Sequence, residues 1–512
     1  MPPLRKLLSA SIAPFLWLMA GNADASGIEL TSKRLLFLDD HYLAKIENVG
    51  RQIHAARKHE QNPLLWPEKP WEGAMAVIYG SVIRDCDRYR MWYHTDGRPV
   101  GPRGIGYAES RDGVRWTKPL MNHVPINGKK SNVLVVNLAK PDEPGHLRHF
   151  YEIFGVHRDP HDPDPSRRYK MGFLTIDRDY TGPREGRFHP GQRRGLGVAG
   201  SPDGLRWTLI NNWATEAVCD GDTHWMFDPV RKKYVLYGRT KLVDSGLLKH
   251  WSHDKRHSDW IEKYYWGRSV VRLESDDFLD WDFSKPAAGP VVMTQDKQDS
   301  PGTEIYSMLV FPYESVYVGL VQVFHNRPDA CHLDIQLAVS HDGIKFTRVG
   351  DRSPFLPCGE IGTWDRFNQS LANNPPFLVG DELRFYYGGR TGRHPPYQGD
   401  DAGKRSGGIG MATILRDRFV SVFASFDGGS ITSKPLRILG DAIHLNAVSK
   451  FGEIKVEAIN AAGEVIAVSK PIQQDSLDVQ VAWHSGKLPA DGAPVSLRIS
   501  LTNAHLYSLW SD

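Results

Sequence analysis

Asp220 and Asp222 stand just ahead of the run Thr223-His-Trp-Met-Phe227, and Glu304 stands just ahead of Ile305-Tyr-Ser-Met-Leu-Val-Phe311. Glu152 lies within Phe150-Tyr-Glu-Ile-Phe-Gly-Val156. If these runs are strands around one funnel, the acids converge on it. Converging carboxylates are what cleavage of a glycosidic bond needs. One carboxylic acid protonates the leaving oxygen, and another attacks the anomeric carbon or activates water. A neighbouring carboxylate holds the acid protonated through like-charge repulsion. Asp222 and Glu304 are the expected acid and partner, and Glu152 is a third member. Asp39 and Asp40 close the apolar stretch Leu35-Leu-Phe-Leu38 and are expected either at the channel mouth or in a strand-end turn. For each acid taken singly, a turn or a structural hydrogen bond is the competing account.

Sugar binding calls for aromatic faces and for polar groups that meet hydroxyls. Trp71, Tyr79, Asp220, His224, Trp364, Asn374 and Arg390 fall near the starts or ends of strand-like runs and are the expected substrate-binding residues. Arg57, Lys58, Arg239, Arg268 and Arg327 fall in similar places. They are either surface charge or contacts for an anionic sugar such as a uronate or a sulfated residue. The stretch from His157 to Asp164 is rich in His and Asp but reads as a solvated turn, and no metal site is expected. Hydrolysis by carboxylates needs no cofactor. The pattern leaves room for a structural Ca²⁺ in the channel.

The elements that must position these groups repeat along the chain. Ser110-Arg-Asp-Gly-Val-Arg-Trp116 recurs as Ser201-Pro-Asp-Gly-Leu-Arg-Trp207 and as Ser340-His-Asp-Gly-Ile-Lys-Phe346. Ser275-Asp-Asp-Phe-Leu-Asp-Trp281 is a degenerate copy. The Asp-Gly pair predicts a tight hairpin turn, with Gly at positive φ. Ahead of each copy lie an apolar run, a charged turn and an aromatic run, as in Ala76–Ile83 followed by Tyr89–Tyr93. A fifth unit without the motif covers Pro376–Thr413. The expected fold is all-β: a five-bladed β-propeller over residues 34–415, then a small C-terminal β-sandwich over 416–512.

Composition agrees with a globular β protein. The 512 residues include 48 Gly, 34 Pro, 15 Trp and 19 Tyr, which favours many short strands and turns. With 63 basic and 60 acidic residues the net charge is only +3, and no basic stripe marks a nucleic-acid partner. Residues 1–26 read as a signal peptide, with Arg5 and Lys6, an apolar run Leu7–Ala20 and the small-x-small site Ala23-Asp-Ala25. The mature protein is then expected to be secreted or periplasmic, with no membrane partner. Cys86, Cys219, Cys331 and Cys358 have no metal-motif spacing and read as thiols with at most one bridge.

On these residues the chain resembles the five-bladed propeller glycoside hydrolases of families 32, 43, 62 and 68, and especially the exported bacterial proteins labelled family-32-like. The resemblance covers about residues 34–415, and the trailing sandwich is similar in placement to the one that follows the family 32 propeller. It implies a glycosidase acting on a poly- or oligosaccharide. In those families an aspartate opens blade one, an aspartate lies in blade two and a glutamate in blade three. Glu152 falls at the blade-two position, and Asp222, five residues before Phe227, at the blade-three position. The departure is in blade one, where Ile78, Tyr79 and Gly80 replace an Asn-Asp-Pro, which counts against a fructosidase. The missing acid is then Asp39, Asp40 or Glu304. Two rival readings keep the scaffold. One is a sugar-binding propeller without catalysis. The other is a phosphorylase or lyase, for which the basic residues would serve.

Overall fold

The computed structural model describes residues 28–137, 145–160, 162–182, 191–217, 220–253, 257–281, 290–396 and 406–512. The segment 1–26 and Cys219 lie outside the described residues. The protein is nearly all β. No helix among the described residues is long and apolar enough to cross a membrane.

Five antiparallel sheets follow one another in the chain. Sheet one contains Ala76–Asp85, Arg88–Thr95, Gly104–Ser110 and Val133–Val136. Sheet two contains Phe150–Arg158, Tyr169–Asp177, Arg193–Ser201 and Thr208–Thr215. Sheet three contains His224–Asp228, Lys233–Lys241, Arg268–Ser275 and Val291–Met293. Sheet four contains Thr303–Tyr313, Val316–His325, His332–Ser340 and Thr347–Arg348. Sheet five contains Phe367–Leu371, Glu382–Arg390 and Gly407–Leu415, and its outermost strand is Arg57–Lys58 from far upstream.

Each consecutive pair of sheets encloses its own apolar cluster. Trp92 and Ile153 meet between sheets one and two, and Phe154 and Trp225 between two and three. Val235 and Met308 meet between three and four, and Leu320 and Phe385 between four and five. The fifth cluster, with Tyr386 and Met91, joins sheet five back to sheet one and closes a ring. Because both faces of each sheet are covered, the strands read as near-continuous apolar runs such as Val316–His325 rather than as strict alternation.

The repeated Ser-x-Asp-Gly motif does something more specific than close a tight hairpin. Ser110 Oγ accepts the Gly113 N–H at 2.9 Å, and Asp112 Oδ1 accepts the N–H groups of Val114 and Arg115 at 2.8 Å each. Ser201 and Asp203 repeat this around Gly204. The loop that results is wider than a two-residue turn. It presents the glycine carbonyl to the preceding sheet. Trp92 Nε1 donates to the Gly204 carbonyl at 2.8 Å, Tyr237 Oη to that of Gly343 at 2.7 Å and Tyr386 Oη to that of Gly113 at 2.8 Å. The glycines sit at φ of 65 to 76°, where a side chain is strained. In the degenerate copy Phe278 takes φ 70° instead. The motif is therefore a lock between neighbouring sheets.

Two further sheets of six strands each lie beyond the ring. They face each other across a core that includes Leu445, Val456, Ile499 and Leu506. The N-terminal segment belongs here, not to the ring: Leu35–Leu36 pairs with Ala504–Ser511, Leu43–Glu47 with Gly429–Ser433 and Gly50–Ile53 with Val420–Ala424. The expected boundary at residue 34 is corrected accordingly. From Leu35 the chain runs through these two sheets, enters the ring near Arg57 and returns after Leu415. Leu36, Leu38 and Phe419 pack into the cluster shared by sheets four and five, so the two parts share one core.

Two short helices were not expected. α1 (Ser245–Trp251) and α2 (Ser258–Tyr264) fill the connection between the second and third strands of sheet three. Asp244 caps α1 by accepting the N–H groups of Gly246 at 2.7 Å and Leu247 at 3.2 Å. α2 delivers Tyr264 and the following Trp266 to the rim of the ring.

Candidate active site

The strand starts of sheets one to four meet at one end of the ring. Glu152, the third residue of its strand, is buried with its carboxyl against the peptide of Gly221. Asp220 and Asp222 flank that glycine. The segment 220–223 leads into the first strand of sheet three, and Asp222 adopts φ 60°, an uncommon conformation for a residue with a side chain. Asp222 is 2% exposed, and neither of its carboxylate oxygens has a hydrogen-bond partner. His224 Nε2 stands 3.3 Å from Asp222 Oδ1. A buried carboxylate without a hydrogen bond is costly.

The charges differ sharply across this cluster. Burial, reinforced by the charge of Asp220, pushes the Glu152 carboxyl up to about 8, against the opposing pull of Arg103, Arg390 and Arg239. Glu152 is thus largely protonated at neutral pH. Asp220 goes the other way. Burial would raise it, but Arg239 and Arg194 and the Gly221 N–H outweigh burial and hold it below the ordinary carboxylate range. Arg239 Nη1 lies 3.0 Å from Asp220 Oδ2, and Arg194 Nη1 lies 3.5 Å from Oδ1. Two carboxyls pushed apart in this way are the signature of an acid and its charged neighbour.

Around them stand Tyr79, Tyr306, Arg390 and His394. Arg390 Nη2 donates to Tyr79 Oη at 2.6 Å. The Arg239 guanidinium carbon stands over the Tyr306 ring, 3.6 Å from its centroid, and Arg239 Nε donates to the Tyr306 carbonyl at 2.7 Å. His394 Nδ1 bonds the Pro395 carbonyl, which only accepts, so Nδ1 carries the proton and Nε2 accepts Tyr306 Oη at 3.0 Å. Burial, with Arg268 and Arg390 nearby, pushes His394 well below the ordinary histidine value and keeps it neutral. A cavity of about 320 Å³ opens here, lined by Asp220, Arg194, Arg268, Tyr151, Tyr306, His394 and, from the helical insertion, Tyr264 and Trp266. That volume is at the small end of ligand sites.

Of the expected catalytic residues, Glu152 and Asp222 come together here. Glu304 is close by but fully engaged. Its Oε1 accepts the N–H groups of Trp266 at 2.6 Å and Arg268 at 3.4 Å, and its Oε2 accepts the Arg268 guanidinium and Asn326 Nδ2. A carboxylate offers about four acceptor positions, and here all are taken. Glu304 anchors Arg268 and the rim behind α2. Asp39 and Asp40 are at the other end of the ring. Asp39 pairs with His341, beyond the far end of the third strand of sheet four, and Asp40 with Arg51. The eleven-residue strand Thr303–Tyr313 separates the two ends, a distance of roughly 30 Å at the usual rise. These two acids are in strand-end ion pairs: of the two expected placements the strand-end one holds, and the channel-mouth placement, with a catalytic role, is corrected.

Among the expected binding residues, Asp220, His224, Tyr79 and Arg390 are in the cluster. Trp71 is not: its Nε1 donates to Asn132 at 2.7 Å, and its ring packs on Val124 and Ile126. Asn374 accepts the Val82 N–H at 2.8 Å and serves the backbone. Its neighbour Asn373 ties sheets one and three, donating its N–H to the Gly80 carbonyl and accepting that of Trp225. Trp364 packs on Tyr387 beside Asp365, which pairs with Lys58. Arg57 and Arg327 pair with Glu382 and Asp329. In the stretch 157–164, Lys170 holds Asp159 and Asp162 at 2.8 and 2.6 Å, an ion-pair cluster as a charged turn requires. Cys86, Cys331 and Cys358 are free thiols.

No protein-family model matches the chain. Two curated sequences, both uncharacterized proteins of Mycobacterium tuberculosis, are 37% identical over 62 residues, 11% of this chain, and the chain covers only 21% of their length. The chain is similar to solved glycoside hydrolase structures at low identity. One belongs to a study of family 130, mannoside phosphorylases that include hydrolases of β-1,2 mannosidic linkages. It is 14% identical with a TM-score of 0.44, over 75% of this chain and 97% of that one. The family 117 glycoside hydrolase Zg3597 of Zobellia galactanivorans is 13% identical with a TM-score of 0.38, over 71% and 90%. The family 43 arabinoxylan arabinofuranohydrolase of Bacillus subtilis is 14% identical with a TM-score of 0.36, over 89% and 98%.

Proposed function

We propose that this chain is an exported glycoside hydrolase, built as a five-bladed β-propeller with a C-terminal β-sandwich that the N-terminal strands complete. Glu152 is the general acid and protonates the leaving glycosidic oxygen. Asp222, with two open oxygens, is the nucleophile or the base that activates water. Asp220 is the positioning charge that keeps Glu152 protonated while Arg239 and Arg194 hold it ionised. The carrying observation is the Glu152 carboxyl, held up to about 8 beside an ionised Asp220 and an unpartnered Asp222 at the ring mouth. The sequence reading paired Asp222 with Glu304 as acid and partner and left the roles open; here Glu152 takes the place of Glu304 beside Asp222.

Trp266, Tyr264 and Tyr151 supply apolar faces for a sugar ring. Arg194 and Arg268 on the same wall suit a carboxylate or sulfate on that sugar. The same two arginines favour one rival, a phosphorylase in which phosphate replaces water. Neither route calls for a cofactor. A structural Ca²⁺ would draw on the open oxygens of Asp222, whereas the imidazole of His224 suits that ion poorly.

The test is a depolymerisation screen of purified protein on fructans, arabinans, xylans, and uronate-containing and sulfated polysaccharides, with and without inorganic phosphate. Glu152→Gln and Asp222→Asn run alongside. Sugar release by wild type alone, independent of phosphate, is the expected result. Phosphate-dependent release of sugar phosphate would select the phosphorylase. Binding without turnover would select a sugar-binding module, and an unsaturated product absorbing in the ultraviolet would select a lyase.

A further inference from the structure

At the rim of sheet four, outside the cavity, the second strand ends in His325 and the third begins with His332. His325 and His332 are register partners, with rings stacked 4.5 Å apart at 23°. Asp334 lies two residues beyond His332 and so shares its face. His325 Nε2 lies 2.9 Å from Asp334 Oδ2. One ligand atom from each of the three residues falls within 4.8 Å of the others.

We infer that His325, His332 and Asp334 form a binding site for a divalent transition-metal ion of the zinc class. Two imidazoles and one carboxylate are the donor set such ions take, with the remaining positions left to water or a fourth ligand. Ca²⁺ and Mg²⁺ prefer oxygens and fit this set poorly. Metal–ligand bonds of about 2.0–2.2 Å place tetrahedral donors roughly 3.3 Å apart. The His325–Asp334 pair is already within that spacing, and rotation of the His332 ring closes the third side. Asp334 is buried, and Gln336 Nε2 donates to its Oδ1 at 3.2 Å. Gln336 is fixed in turn by Arg348, which pairs with Asp299. Outer partners of this kind orient a ligating carboxylate.

Arg327 and Arg393 stand near enough to act against a cation, and the carboxylate must outweigh them. The ion would pin two strand ends at the root of the turn 326–331. The Cys331 carbonyl of that turn accepts the His394 N–H at 2.8 Å, linking the turn to the cavity wall.

The experiment is equilibrium dialysis of tag-free protein against micromolar ZnCl₂, with metal content measured, and a Co²⁺ titration followed by visible absorption. His332→Ala and Asp334→Asn are the variants, with folding checked by circular dichroism. One zinc per chain in wild type, a tetrahedral Co²⁺ spectrum and affinity lower by about tenfold or more in each variant are expected. Absence of stoichiometric zinc in wild type overturns the site, as does unchanged binding in folded variants. Should both variants fail to fold, histidine nitrogen shifts of the wild type on zinc addition decide it: two perturbed imidazoles support the site, and none overturns it.

Discussion

The carboxyl of Glu152 lies against the peptide of Gly221: a methyl group on Gly221 would stand 2.1 Å from Glu152 Oε1 and 2.8 Å from its Cδ. Glycine between two aspartates is therefore what lets all three acids meet. Gly221→Ala pushes the Glu152 carboxyl aside without touching a sheet, since the group it meets is the free end of a side chain. A displacement near 1 Å at a reacting group costs about 100-fold in rate. The expected result is a fall of that order in kcat, with the melting temperature nearly kept. Unchanged kcat would remove Glu152 from the reaction.

Glu152 also sets an alkaline limit. Its acid form is needed, so kcat/KM should fall above about pH 8 as the proton is lost. Asp220 is held below the ordinary carboxylate range, so its charge opposes ionisation of Glu152 throughout the working range. In Asp220→Asn the like charge that helps raise Glu152 is gone, so the alkaline limb should move down. A limb that stays in place would show that Asp220 does not act through Glu152.

The same shift makes Glu152 a burden on stability. Its folded value, about 8, is above its ordinary 4.5. Between those values the unfolded chain has released a proton that the folded chain keeps. Stability therefore declines as pH rises from about 4.5 to 8. The full shift corresponds to on the order of 5 kcal/mol. Glu152→Gln, inactive as an acid, should be more stable than wild type at pH 8 and closer to it at pH 5. Urea unfolding at the two pH values tests this, and equal stability gaps would contradict it.

Trp92 and Gly204 offer a test of the ring itself. Trp92→Phe keeps an aromatic ring but leaves the Gly204 carbonyl without its 2.8 Å donor. An orphaned buried acceptor costs about 1–3 kcal/mol. Tyr386→Phe should cost a similar amount at the Gly113 carbonyl. The two effects should add, because the locks join different pairs of sheets. Calorimetry on the single and double variants checks both statements.

The repeated Ser-x-Asp-Gly motif and the aromatic runs made the five units legible, because each sheet is buried on both faces and must be written in apolar runs. Glu152, Asp222, Asp220 and Tyr79 were legible for a related reason: they precede first strands or lie early in them, and first strands line the ring, while Arg390 was legible as the end of the aromatic strand Glu382–Arg390. What the sequence hid was long-range. Nothing local says that Leu35–Leu36 pairs with a strand ending at Ser511, so the channel mouth and a strand-end turn stayed equally open for Asp39 and Asp40. Asp244-Ser-Gly, with Leu247 and Trp251 on one face, was a readable helix start that the strand pattern masked. His394 and Arg194 follow or begin strands without any apolar signature. Glu304 looked like Glu152 in sequence, and only its four donors separate them.

Glu304 and Arg268 give the last test, which separates an anchor from an acid. Glu304 is fully buried, and its ion pair with Arg268 is almost as dry. Glu304→Gln leaves a guanidinium buried against a neutral amide. It also turns an amide donor toward groups that only donate. Breaking a buried pair from one side costs about 3–5 kcal/mol, so this variant should melt well below wild type and expose the rim at Trp266. Asp222→Asn should behave in the opposite way. It removes a charge that has no hydrogen-bond partner, so it should fold at least as stably while losing about 100-fold or more in kcat. Measuring melting temperature and kcat on both variants sorts the two acids. If Glu304→Gln kept wild-type stability but lost all turnover, Glu304 would be the acid and Glu152 its neighbour.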